Sequence, residues 1–233
     1  MDLKKRECPV KMRLVPYGGG WTDVYADFGD GELYFIISDV IGDHFEVLMR
    51  ALYHLYPENG DYENAEDLIE YKYGILQNHD KDCVLEKIVE EVQDEDSPCS
   101  VGFIPWKASF SWDEEGSASK WIIERPADLN TSFKIKISID ICRDEKKHYE
   151  YELRYEDVCY AVAAACTKAL KKHGFWGFHH SCYVPDMNVR YLLFLKSIGL
   201  RNMEARELTF YDEKGMGETS DFNKEMELLL FDM

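Results

Sequence analysis

The chain has 233 residues, with 27 Lys and Arg against 45 Asp and Glu, hence a formal charge of −18. A hydrophobic fraction of 45% and an aromatic fraction of 14% exclude a disordered acidic chain. The anionic balance argues against nonspecific nucleic-acid binding, which needs a cationic face for phosphate, and a globular chain of this length buries roughly 70–75% of its unfolded surface.

At the N-terminus, charges at Glu7, Lys11 and Arg13 leave no room for the apolar run of a secretory signal. No stretch approaches the length of a membrane span, and mean hydropathy is −0.41. Seven cysteines, an odd number with no C-x-x-C pair, read as reduced thiols and point to the cytoplasm. Pro16 and the run Gly18-Gly19-Gly20 before Trp21 read as a flexible turn between strands. Leu33 to Ile41 is a β-rich apolar run expected to form a buried strand. Asp43 then caps a helix whose apolar face is Phe45, Leu48, Met49, Leu52 and Leu55 or Tyr56, stopped by Pro57.

From Glu58 to Asp96 fourteen acids face three bases, a local net of −11 and well over half of the chain's total. Val84, Leu85, Ile88, Val89 and Val92 recur there at helical spacing, so an acidic helical insertion is expected around residues 58–98, with its anionic face outward. Beyond Pro98 the pattern turns to strands. Phe103, Trp106, Phe110 and Trp112 lead into a turn at Glu114-Glu115-Gly116, and Trp121, Ile122 and Ile123 return. Phe133 to Ile139 has an apolar residue at every second position, and Tyr149 to Leu153 alternates again after a charged turn at 143–147.

Tyr155 to His173 is the clearest helix. Val158, Ala161, Val162, Ala165, Ala169 and Leu170 form its apolar stripe, acids begin it, bases end it, and Gly174 stops it. Its alanines predict close packing against a sheet or another helix. Val189 to Ile198 is a further apolar, helical segment, and the acidic tail of residues 209–233 ends in Leu228-Leu229-Leu230-Phe231, which can dock on the body. The expected fold class is α+β: a single domain with a mostly antiparallel meander sheet covered by helices.

The densest group of chemically capable side chains is His173, His179, His180, Cys182 and Asp186. Imidazole, thiolate and carboxylate all suit a divalent transition metal, but H-x5-H-H-x-C has no second ligand pair at zinc-like spacing. Cys159 and Cys166, seven residues apart on one helix face, are separated by roughly 10 Å, too far for a disulfide, and read as small buried residues. Tyr17-Gly18-Gly19-Gly20 lacks the Lys-Ser/Thr and helix of a phosphate-cradling loop. No catalytic residue, metal site or cofactor is assigned. The rings of Phe103, Trp106, Phe110, Trp112 and Trp121 read chiefly as core packed against the long helix; the sharper alternative is an aromatic groove open to a ligand.

The extreme number is the charge. A strongly negative field accelerates encounter with a cationic partner and lends specificity. The expected function is therefore a non-enzymatic protein-binding module for a basic partner, with Asp94, Glu95 and Asp96 as candidate binding residues. Inhibitors of basic nucleases, bacterial toxin-immunity proteins among them, work this way, and this chain is similar to them in charge and compactness, with no residue motif behind the comparison. The alternative is a hydrolase or metal-dependent enzyme built on His179, His180 and Cys182.

Overall fold

A computed structural model describes residues 1–18, 21–38, 44–56, 102–104, 107–113, 118–126, 133–142, 146–182, 189–202, 204–205 and 221–233. The strands make two antiparallel meanders where the sequence suggested one. The first is β1 (Lys11–Gly18), β2 (Trp21–Asp27) and β3 (Glu32–Ser38), in that order. In β2, Thr22, Val24 and Ala26 turn inward while Trp21, Asp23, Tyr25 and Asp27 turn out, the period-two alternation of a sheet with one wet face. Pro16 sits on the edge strand, where the register with β2 shifts between Pro16 and Gly18. An edge and an irregularity are the places in a sheet that tolerate a residue with no N–H to donate.

The helix α1 (His44–Leu55) follows, and Phe45, Leu48, Met49, Leu52, Leu55 and Tyr56 are all buried as the heptad-like spacing required. Its expected cap Asp43 and stop Pro57 lie outside the described residues. The second meander is β4 (Gly102–Ile104), β5 (Lys107–Asp113), β6 (Ala118–Glu124), β7 (Lys134–Cys142) and β8 (Lys146–Arg154), with neighbours paired in chain order. Phe110 lies opposite Trp121, and Ile137 opposite Tyr151, so one face of this sheet is largely apolar.

That face meets the long helix where Phe133 stacks on Tyr155 at 4.6 Å, but its aromatic strands are covered by other elements. Phe35 of β3 packs edge-on to Trp112 at 5.4 Å and against Trp121 at 5.3 Å, and Phe28 reaches Tyr151 at 4.7 Å. The small sheet and α1, which lies along β5, cover the aromatic strands instead. Phe110, Trp112 and Trp121 are each no more than 1% exposed, so those rings are core and do not line an open groove; Trp106 lies outside the described residues. Trp121 even finds its polar partner indoors, donating from Nε1 to Ser119 Oγ at 3.2 Å.

The helix α2 (Tyr155–Cys182) runs along β1 and is broken at Gly174, whose φ of 69° and ψ of 167° leave the helical region where the sequence placed the stop. The whole predicted stripe from Val158 to Leu170 is buried. So are Cys159, Tyr160, Ala163 and Cys166, because α3 (Val189–Leu200) covers the side that β1 leaves open. The crossing is tight. A Cβ at Gly199 of α3 would stand 2.7 Å from Tyr160 Cα and 2.8 Å from its backbone N. Gly199→Ala is therefore expected to push the helices apart and cost about 2–3 kcal/mol in urea unfolding; a loss below about 0.5 kcal/mol would mean that the helices separate freely.

The chain closes with α4 (Phe222–Leu230). Asp221 caps it by accepting from the N–H groups of Asn223 at 3.0 Å and Lys224 at 3.2 Å. Leu228, Leu229 and Met233 are buried in the same apolar cluster as the sheets and α2, so the tail docks. Among the described residues no helix is long and apolar enough to cross a membrane.

Candidate binding surfaces

The residues singled out by charge, Asp94, Glu95 and Asp96, lie outside the described residues, as does the whole acidic segment around 58–98. His179, His180 and Cys182 continue the helix α2 beyond Gly174. Among the described residues no group of three or more His, Cys, Asp and Glu side chains could hold a metal ion. Cys159 is fully buried, and burial pushes its thiol well above the ordinary range, opposite to what a reactive thiolate needs. Cys8, Cys142, Cys159 and Cys166 are all free thiols.

The described surface carries ordered rows of aromatic and charged side chains on the two outer sheet faces. On the small sheet the register sets Arg13 opposite Tyr25 and Tyr25 opposite Tyr34, one row straight across three strands. The Arg13 guanidinium stands 3.7 Å over the Tyr25 ring, and the Tyr25 and Tyr34 rings are 5.1 Å apart. Tyr34, 37% exposed, donates its hydroxyl to Asp23 Oδ1 at 2.9 Å. The neighbouring row is Val15, Asp23 and Ile36, with Trp21 partly exposed beyond it. Aromatic rings held rigidly by a cation and a carboxylate give large contact area at little entropic cost. Asp27, Asp30 and Glu32 border this face at the β2–β3 turn, where Gly29 N–H donates to Asp27 Oδ1 at 2.9 Å and fixes the turn.

On the large sheet, β7 and β8 carry a ladder of exposed charge. Lys134 pairs with Glu152 at 2.6 Å, Lys136 with Glu150 at 2.7 Å, and His148 Nδ1 with Asp140 at 2.7 Å. Hydrogen bonding to Asp140 raises the His148 pKa, and the Lys136 bond lowers that of Glu150. At such exposure each pair contributes little to stability. Glu124 pairs across strands with Lys107 at 3.3 Å, and Arg125 is buried.

The alternation W-T-D-V-Y-A-D from Trp21 to Asp27 carried the signal for the small-sheet face: it separates Trp21, Asp23 and Tyr25 from the inward residues. Lining them up with Arg13 and Tyr34 needs the cross-strand register, which only the fold supplies. No family model, curated protein sequence or solved structure significantly matches this chain.

Proposed function

We propose that this chain is a non-enzymatic binding protein for a basic protein partner, acting in a reducing cytoplasm in the manner of an inhibitor or immunity protein. The observation behind this reading is where the cations are spent. Nine lysines and arginines, Arg6, Lys107 and Lys136 among them, lie within 4.0 Å of acids outside residues 58–96. By sequence residues 58–96 hold a net −11, and these nine bases have acidic partners outside it, which supports a net field able to steer a cation. The row Arg13–Tyr25–Tyr34 supports the same reading, since exposed aromatics are the commonest anchors of a protein interface. Asp23, Asp27, Asp30 and Glu32 outnumber Lys11 and Arg13 on and beside that face. The free thiols of Cys8, Cys142, Cys159 and Cys166 support the reducing compartment.

The test is capture from a lysate of the source cell by the full chain and by the variant Asp94→Asn/Glu95→Gln/Asp96→Asn. A basic protein retained in stoichiometric amount at low salt, weakened at high salt and bound several-fold more slowly by the variant is expected. Retention indifferent to both salt and the variant, or no stoichiometric partner at all, would remove the proposal.

A further inference from the structure

The long edge of the five-stranded sheet has an unusual charge order. Among the described residues β8 is the last strand of that sheet, packed along its length by β7 and met at its end by α2. Six of its nine residues, Lys146, Lys147, His148, Glu150, Glu152 and Arg154, are exposed. An edge strand presents a row of backbone N–H and C=O groups that can template another strand, and charged side chains normally forbid most such pairings. Here they rank the registers. If β8 meets a second β8 antiparallel about Glu150, His148 opposes Glu152, but Glu150 opposes Glu150 and Lys146 opposes Arg154. If the centre moves by one residue to Tyr149, Lys146 opposes Glu152 and His148 opposes Glu150, each pair occurring twice by symmetry. Lys147 then opposes Tyr151, and Tyr149 opposes Tyr149. Directly opposed residues share a face in an antiparallel pair, so the outer charged face remains outer and the inner aromatic face remains inner.

We propose that this protein forms a twofold homodimer through antiparallel pairing of β8 with β8 of a second copy, in the register centred on Tyr149, giving one continuous sheet across both protomers. Opposite charges directly across strands stabilise a pair and like charges destabilise it, so the order of charges along β8 favours this register over the one centred on Glu150, and over the one centred on His148, where His148 faces itself and Lys146 opposite Glu150 is the opposite-charge pair that remains within the strand. Like-charge repulsion between the two acidic bodies, at distances beyond the strand, is screened at physiological salt. A twofold contact also consumes both edges, so pairing stops at the dimer.

The experiment is sedimentation equilibrium on the full chain and on two exposed charge reversals, Lys146→Glu and Glu152→Lys. The native chain is expected to be dimeric at micromolar concentration. Either variant alone sets two like-charged pairs across the dyad and should weaken the dimer roughly tenfold or more. An equimolar mixture of the two variants restores both opposite-charge pairs, because the two carboxylates of one chain then face the two ammonium groups of the other. A heterodimer should therefore form where neither parent dimerises. A monomeric native chain overturns the proposal. So does a dimer indifferent to both reversals, or a mixture that gains nothing over its components. Circular dichroism of each variant confirms that the sheet remains folded.

Discussion

Replacing Arg6 with Ala is expected to lower the unfolding free energy by about 3–5 kcal/mol, the range for removing one partner of a buried ion pair. Arg6 lies in the N-terminal segment before β1, yet it holds together two helices. Its Nε donates to the Gly199 carbonyl at 2.6 Å, its Nη1 to Asp157 Oδ1 at 2.6 Å and its Nη2 to the Glu156 carbonyl at 2.9 Å. The same guanidinium lies 4.7 Å over the Tyr160 ring. One planar fork thus joins the start of α2 to the end of α3, at the crossing that Gly199 makes tight. Asp157 is only 5% exposed, and without Arg6 the cation left to it among the described residues is Arg201 at 3.6 Å. A carboxylate in that position loses both charge compensation and a short hydrogen bond, while two backbone carbonyls lose their donors.

The conservative variant is informative. Arg6→Lys keeps the charge but cannot reach three acceptors with a fixed fork, so it should recover under half of the loss. Lys4→Ala serves as the control: its pair with Asp2 is fully exposed, and the change should be negligible. Urea unfolding of the three variants checks the ordering. If Arg6→Ala cost less than about 1 kcal/mol, the contacts would be ornamental and Asp157 would have to find water.

That clamp was not legible in the sequence, and the reason is distance along the chain. Arg6 and Asp157 are 151 residues apart. The sequence read Asp157 correctly as an acid at a helix N-terminus, but favourable placement at a dipole does not reveal a buried partner. Local order was legible. The alternation of Phe133–Ile139 gave β7, the three- and four-residue spacing from Val158 to Leu170 gave the first part of α2, and Gly174 gave its break. What failed was the assignment of neighbours: the stripe of α2 fits equally well on a sheet face, on an edge strand or on a helix, and nothing local says that β1 and α3 share it while Phe35 takes Trp112 and Trp121. For the candidate surfaces the same limit held. Tyr34 lies in the run expected to form a buried strand yet is 37% exposed, and its row with Tyr25 and Arg13 exists only in the register.

The second large effect belongs to Lys196, whose side chain is fully buried on α3. Its Nζ donates to the Leu229 carbonyl at 2.6 Å and the Phe231 carbonyl at 2.8 Å. Carbonyls at the last turn of a helix lack intrahelical partners and carry the negative end of the dipole, so a lysine there holds the C-terminal helix α4 on the body. Burial, with the neighbouring Lys171 charge adding to it, pushes the ammonium pKa from the ordinary 10.5 down to about 8. Cys166 and Asp232 work in the opposite direction. Below pH 8 the folded and unfolded chains both hold the proton, and the folded chain bears the desolvation cost, roughly 3 kcal/mol. Between about pH 8 and 10.5 the unfolded chain keeps the proton and the folded chain sheds it, so this group makes stability rise with pH. Losing the proton does not break the contacts, because a neutral amine still has two N–H groups for the two carbonyls. Lys196→Met keeps the volume and removes the titration. The stability of the native chain minus that of Lys196→Met should therefore climb between pH 8 and 10, by up to about 1.4 kcal/mol per pH unit, with the other titrating groups cancelling in the difference. Lys196→Ala adds a cavity to the two stranded carbonyls and should cost about 2–4 kcal/mol near pH 10, where the amine is neutral in the fold, and less at neutral pH, where removing the ammonium also relieves its desolvation cost. That loss should appear first as faster amide exchange across residues 222–233, since α4 is what the lysine holds. A flat difference curve would place the ammonium in contact with water and return the docking of α4 to Leu228 and Leu229 alone.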